Sequence, residues 1–554
     1  MSSPAKSVPF DPYADQPSFW RRHAPEVWAA VVFVFTVVLT VLTFPPYPTP
    51  EFAYAFAAPA IFWAYLRPSF KVYALTMFAA QAVAWTIILG WLHNVTWLGL
   101  GLLGPFVGAW VGSWYLAVWW AMPRIQRQNS LLRVVGVLGL AGFWVFVEWT
   151  RTWLLGGFPW LPLAASQWQR SIILQIASYT GAYGVSFILI TFNLGFAAYA
   201  HRLLREKHEG LRRRSPEFMA ALLILIFPSF LLLTETFSQQ RRELARLALV
   251  QPDVPQDVKW DPAKGPAIAA TLEHLTLTAA QERPDLILWP EAVTPWAVQG
   301  DTYARSFVES ISNRAHVPLL LGSIAIEHEG QKDEAWYNGV FTVTPDGGLQ
   351  PDYYAKRHLV AFGEYVPLRP LLGWIGKFVP VGDDFQHGLD AHPLLVLLRD
   401  RALVVGPLIC YEDTFPQLAR QSVRAGAEIL TVHTNSGWFG EGGAAYQHAA
   451  HSVLRAVETR RPVVRVGNGG WSGWIDEFGN IRATLTDESG SIYYRGSRVV
   501  TVSRDQRWVG RESFYTRHGD WFVLLSVALV VLGGLVLKSG GELPAASAAP
   551  PAGE

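Results

Sequence analysis

Residues 402–410 read ALVVGPLIC. An apolar, partly β-branched run that stops abruptly at a cysteine has the pattern of a short strand buried on both faces, with a reactive side chain just past its end. The neighbourhood repeats the pattern. LARLALV (244–250), DLILWP (285–290), VPLLLGSI (317–324), GVFTVT (339–344), EILTVH (428–433), PVVRVG (462–467) and RVVTVS (498–503) are all short and bounded by Pro, Gly, Asn or Asp. Helical stretches at 266–281 and 445–459 lie between them. Strands alternating with helices over about 280 residues predict one α/β sandwich or doubly wound domain with its own core.

Outside this segment the chain turns apolar. A helix needs about 20 mostly apolar residues to cross the hydrocarbon of a bilayer. Eight runs are read as spans: 27–44, 52–66, 72–91, 97–122, 131–149, 172–199, 218–233 and, alone near the C-terminus, 521–537. The first follows 26 residues and precedes PPYPTP instead of a small-residue cleavage site, so it is expected to remain in the mature chain.

Lys and Arg resist translocation, so basic loops mark the cytoplasmic side. Lys6, Arg21 and Arg22 precede the first span; Arg67 and Lys71 follow the second; Arg124, Arg127 and Arg133 follow the fourth. Arg202, Arg205, Lys207, Arg212, Arg213 and Arg214 follow the sixth. The intervening PPYPTPE and HNVT carry neither Lys nor Arg, and only Arg151 and Arg170 blur the alternation. The expected layout is a cytoplasmic tail (1–26), seven spans (27–235), an extracytoplasmic domain (236–517), an eighth span (518–538) and a cytoplasmic Pro/Ala-rich tail (539–554).

Composition agrees. Only 16% of the 554 residues are charged and 14% are aromatic, with 25 Trp, against roughly 25% charged in ordinary globular proteins; aromatic residues gather at membrane interfaces. Lys+Arg 45 against Asp+Glu 44 gives a net charge of +1, so no basic field is available to hold nucleic acid. The single cysteine, Cys410, excludes an intrachain disulfide.

Three ionisable residues stand at or near predicted strand ends, where sites gather in α/β sheets: Glu291, Lys356 and Cys410. A thiol is a strong nucleophile once ionised. Glu291 could accept its proton, and Lys356 with the backbone N–H of Tyr411 could hold the oxyanion formed on a carbonyl. Only 9 of the 45 basic residues are Lys, so a lysine here runs against the chain's habit. Taken singly, Cys410 would more often be a buried structural thiol, and Glu291 and Lys356 surface or ion-pair residues.

The surrounding words change that balance. LILWPEAVTPW, YYAKRHLVAFGEYVPLRPLL and GPLICYEDTFP resemble the three motif blocks of the nitrilase superfamily, and within it those of the apolipoprotein N-acyltransferases. LVQPDVPQDVKW, GGFPWLPLAASQW, TNSGWFG, YTRHGDWF and the seven-plus-one span count extend the likeness over nearly the whole chain. The resemblance implies a Glu291–Lys356–Cys410 triad on a four-layer α-β-β-α domain at the outer face of a bacterial inner membrane. It also implies supporting roles for Trp260, Glu364, Tyr411, Glu412, Trp438 and Phe439. The implied reaction is acyl transfer from a phospholipid, through a Cys410 thioester, to the N-terminal amine of a diacylated apolipoprotein. No cofactor is expected, and a monomer is. A tethered amidase using water, or a lipid-binding or transport module, are the rival readings; eight spans exceed what anchoring needs, and the spans hold few ionisable groups for an ion path.

Asp253, Ala361, the Ser436–Gly437 pair and GNGGWSGW (467–474) depart from the family's usual letters, none at the triad. His448 and His451 lack a third ligand at metal-site spacing and read as a polar helix face, so no metal is expected. Residues 368–385, with Trp374, Ile375, Phe378 and Val379, read as a membrane-facing lid or a core loop. Glu148 and Arg151 read as an ion pair inside the bundle or as part of a lipid route.

Overall fold

The computed structural model describes residues 24–205, 215–236, 239–259, 261–367, 369 and 384–539. The N-terminal part is a helical bundle: α1 (Ala24–Thr43), α2 (Ala58–Tyr65), α3 (Phe70–Ile88), α4 (Trp97–Ile125), α5 (Ser130–Thr150), α6 (Ala182–Arg205) and α7 (Pro216–Thr236). An α/β domain follows, with α8 (Gly265–Ala280), α9 (Thr302–Ala315), α10 (Pro416–Arg424) and α11 (Gly443–Thr459), and the chain returns to the bundle as α12 (Trp521–Ser539).

Among the described residues seven helices are long and apolar enough to cross a membrane: α1 and α3 to α7, with α12. The run 52–66 differs from its expected form. It is a 3-10 turn, Pro50–Tyr54, followed by α2, only eight residues long with Pro59 in its first turn. Proline lacks the N–H that would continue a helix from upstream, which sets the break there. Backbone freed inside an apolar bundle must be satisfied by protein. Asn193 of α6 does so: its Nδ2 donates to Ala53 O at 2.8 Å and its Oδ1 accepts from Ala57 N at 2.9 Å. The run 172–199 also divides, into short helical turns up to Thr180 and then α6, because Gly181 turns the chain at φ +69°.

The C-terminal helix docks on α5 through small residues. A Cβ at Gly142 would stand 2.6 Å from Ser526 O, and one at Gly139 2.9 Å from Leu529 O. Small side chains allow the close backbone approach that helix association in lipid relies on.

The α/β domain has two six-stranded sheets, ordered β12-β1-β2-β3-β4-β5 and β11-β10-β9-β8-β7-β6. Sheet one comprises β1 (Arg241–Gln251), β2 (Leu286–Trp289), β3 (Leu319–Glu327), β4 (Ala335–Thr344), β5 (Gly348–Ala355) and β12 (Gly496–Asp505). Sheet two comprises β6 (Leu394–Leu397), β7 (Ala402–Ile409), β8 (Ile429–Thr434), β9 (Val463–Gly467), β10 (Gly473–Ile475) and β11 (Ile481–Thr484). Each has a parallel centre, β1-β2-β3 and β7-β8-β9, flanked by antiparallel strands.

All eight expected strands are present. Side-chain alternation explains the layering: Leu247, Leu249, Leu286 and Leu288 face Val405, Ile409, Val464 and Val466 between the sheets. Ala248, Val250, Ile287 and Trp289 meet Ile268, Leu272 and Ile311 of α8 and α9. On the far side, α10 and α11 pack on sheet two within the same core as the membrane bundle. The result is the expected α-β-β-α sandwich, joined to the bundle through one of its helix layers. Helix α11 is therefore buried over nearly its whole circumference.

Candidate active site

Three strand ends converge between the sheets. β2 hands Glu291 to a tight turn in which Ala292 has φ +41°. β3 presses against that turn: a Cβ on Gly322 would lie 2.5 Å from Pro290 O and 2.7 Å from Glu291 Cα. Lys356 directly follows β5, its N–H donating to Asn338 O at 2.8 Å. Cys410 follows β7 at φ +50°, a conformation costly for a residue with a Cβ, and opens the turn Cys410–Thr414. The structure brings Glu291, Lys356 and Cys410 together, and each is less than a tenth exposed.

Their contacts form a closed set. Lys356 Nζ donates to Glu291 Oε1 at 3.0 Å and to Glu364 Oε1 at 2.9 Å. Asn338 Nδ2 reaches the same two oxygens, both at 2.9 Å. Glu291 Oε2 accepts Asn435 N at 3.1 Å, Glu364 Oε2 accepts Val360 N at 2.8 Å, and Thr434 Oγ1 donates to Cys410 Sγ at 3.5 Å. Charges buried without such partners would be strongly destabilising.

Electrostatics assigns the protons. Burial opposes the charge on Glu291, but Lys356, Lys259 and the Asn338 hydrogen bond hold its carboxyl below the ordinary range. Burial likewise opposes the charge on Lys356, and Glu291 and Glu364 outweigh it, holding the ammonium well above its usual value. Burial, followed by the charge of Glu291, pushes the Cys410 thiol up to about 12. The resting site is a neutral thiol beside an ionised carboxylate and an ammonium, so sulfur has to shed its proton before or as it attacks.

Glu412 is a clamp. Its Oε2 accepts Ile409 N at 2.7 Å and Tyr354 OH at 2.8 Å, and its Oε1 accepts Arg357 N at 2.6 Å and His358 N at 3.1 Å. It thereby fixes the cysteine turn to the lysine loop. Tyr411 reaches the membrane part, its OH donating to Gly157 O at 3.3 Å. Trp438 and Phe439 lie half-buried on the turn Ser436–Phe439; Phe439 packs 4.6 Å from Trp91 and 6.4 Å from Trp160, and its carbonyl accepts Asn94 Nδ2 at 2.7 Å. Trp260 lies outside the described residues, as does the proposed lid 368–385 apart from 369, 384 and 385. The end of that stretch is tied beside Glu364, whose carbonyl accepts Phe385 N at 3.0 Å.

Glu148 and Arg151 each brace the loop that meets this site. Glu148 Oε1 accepts Leu163 N at 2.7 Å, and Arg151 donates to Trp160 O at 2.5 Å with its guanidinium 4.9 Å over Trp85. His448 and His451 lie on α11, but that face is buried: His448 Nε2 lies 3.0 Å from Cys410 O and 2.8 Å from Asp413 Oδ1, and His451 Nε2 accepts Leu161 N at 3.2 Å. In the 467–474 turn, Asn468 holds Val254 on both sides and donates to Asn435 Oδ1 at 3.0 Å.

Sequence reasoning missed Asn338, Asn435 and Lys259, which share atoms with Glu291. Asn338 carried a signal, a lone amide entering the apolar strand GVFTVT. Asn435 and Lys259 stood inside quoted motifs without being singled out.

Two family models match the chain: an apolipoprotein N-acyltransferase N-terminal domain over residues 36–195 and a carbon-nitrogen hydrolase over 246–503. An apolipoprotein N-acyltransferase of Geobacter metallireducens is 31% identical over 476 residues, covering 83% of this chain and 85% of that protein. One of Shewanella oneidensis is 30% identical over 419 residues, covering 72% and 75%. Among solved structures, an amidase from Nesterenkonia sp. aligns with 52% of this chain and 98% of its own at 18% identity and a TM-score of 0.36. With both halves matched in order and such relatives spanning most of its length, the chain belongs to the apolipoprotein N-acyltransferase family.

Proposed function

We propose that this protein moves an acyl chain from a phospholipid to the N-terminal amine of a diacylglyceryl-cysteine in an apolipoprotein, with Glu291, Lys356 and Cys410 as the catalytic residues. Glu291 takes the Cys410 proton as sulfur attacks the ester carbonyl. Lys356 Nζ and the Tyr411 N–H hold the oxyanion. The proton passes from Glu291 to the departing lysophospholipid oxygen, leaving a thioester. The acceptor amine then gives a proton to Glu291 as it attacks the thioester, and that proton returns to sulfur. One observation carries the reading beyond a water-using amidase: the turn opened by Cys410 and the turn that ends at Phe439 both touch the membrane bundle, through Tyr411 to Gly157 and Phe439 to Trp91 and Trp160. Incubation with phospholipid alone should add one acyl group to Cys410, visible by intact mass and removable by hydroxylamine. A diacylated lipopeptide should discharge it. Phospholipid hydrolysis without lipopeptide acylation would return the assignment to a tethered hydrolase.

The proposed setting is the bacterial inner membrane, with both termini cytoplasmic and residues 236–517 periplasmic. Basic-loop asymmetry supports this. The layout counts the broken segment Pro50–Leu66 as its second crossing. A reporter fused after residue 215 is expected to be cytoplasmic and one fused after residue 300 periplasmic. A cytoplasmic signal from the second fusion would separate the site from its proposed substrates and overturn the layout.

A further inference from the structure

Of the nine lysines in the chain, only Lys259 and Lys356 are buried among those described, and both meet Glu291. Lys356 grips the carboxylate. Lys259, at the end of the short helical turn Gln256–Lys259, meets the main chain instead, and its Nζ donates to the Glu291 carbonyl at 3.3 Å. That carbonyl belongs to the peptide leading into Ala292 at φ +41°, the point where the chain bends to present the glutamate side chain. A lysine only 2% exposed is costly to keep charged, so its place requires local negative charge.

We infer that Lys259 is a second cation of the site, a positioning residue that clamps the Glu291 main chain and keeps the Glu291 carboxyl ionised and ready to receive the Cys410 proton. The inference rests on the reading of Glu291 as the base. Lys356 is already shared with Glu364, so it cannot give its full charge to Glu291. A second cation restores the balance of two carboxylates against two ammonium groups. Other groups facing the pair are the Cys410 thiol, Glu364 and, from β8 and β9, His433, which burial pushes down to about 4, and Arg465, which feels the charges of Cys410 and Glu291. Burial pushes the Lys259 ammonium down to about 8 against the pull of Glu291 and Cys410, so it stays charged through the acid range in which Glu291 titrates. Removing its charge raises the pH at which Glu291 protonates, so the acid limb of the pH–rate profile must move upward.

The test is the pH dependence of Cys410 thioester formation in single turnover, with phospholipid and the full-length protein, for wild type, Lys259→Gln and Lys259→Arg. The glutamine keeps a donor for the Glu291 carbonyl and loses the charge. Its acid limb is expected to rise by about one pH unit. Lys259→Arg, a permanent cation, should keep the wild-type acid limb. A uniform fall in rate with the limb unmoved in Lys259→Gln would reduce Lys259 to a structural clamp and overturn the inference. Should the glutamine variant fail to accumulate, Lys259→Arg still decides: an acid limb moved upward despite the retained cation overturns it. Absence of any thioester in wild type would instead sink the reading of the site itself, so the two failures are distinguishable.

Discussion

Cys410→Ala is expected to lose acyl transfer altogether, by roughly 10⁶-fold, the scale on which removal of a covalent nucleophile operates. Its fold should survive. The side chain accepts one weak hydrogen bond, from Thr434, alanine meets the same φ of +50° no worse than cysteine does, and the lost burial is about 1 kcal/mol. Cys410→Ser should be nearly as inactive, because a hydroxyl is harder still to deprotonate in a site that already lifts the thiol to about 12. The resting thiol makes a second prediction in the same preparation: the ultraviolet thiolate signal that separates wild type from Cys410→Ala should stay absent through neutral and mildly alkaline pH. Acyl transfer by purified Cys410→Ala would end the mechanism proposed here.

Glu291→Gln is expected to cut thioester formation by roughly 10²- to 10⁴-fold, the range for losing a general base. The amide cannot accept a proton from sulfur. It also cannot satisfy its surroundings, since both carboxylate oxygens now receive donors, Lys356 and Asn338 on one and the Asn435 N–H on the other. An NH₂ group must face one of those donors. The same substitution removes the carboxylate charge that helps to raise the Cys410 thiol, so the thiol should ionise more readily while turning over far more slowly. That opposition separates loss of a base from general damage to the site. Retained thioester formation would move the base to Glu364, which shares Lys356 and Asn338 with Glu291; Glu412 is committed to four donors.

Much of the architecture was legible because apolar patterning is local. The eight strand runs lie at or next to the parallel centres, where both faces are covered and the sequence shows an unbroken apolar word. The strands β5, β6, β10 and β11 went unread. They flank those centres in antiparallel pairing; β6 alternates buried and exposed residues, and β11 is partly exposed throughout, so neither writes such a word. The run 52–66 was apolar enough to read as one continuous helix. What shortens it is Pro59 together with a distant buried amide, Asn193, that makes the break tolerable.

The sequence by itself determined the class of the protein, the order of its membrane and α/β parts, and three reactive side chains, two at the ends of recognised strands and Lys356 by its motif alone, since hydrophobic period, turn residues and motif spacing are written in consecutive letters. Only the tertiary structure decided which groups share protons. Asn338 stands 47 residues from Glu291 and bridges it to Glu364, while Glu412 reaches Arg357 N over 55 residues to set the cysteine turn against the lysine loop. The state of the thiol was likewise invisible in the letters: a cysteine beside a lysine reads as activated, yet the depth of burial and the charge of Glu291 keep it protonated. Desolvation and hydrogen-bond sharing depend on distance through space after the two sheets have closed, and no spacing along the chain encodes that distance.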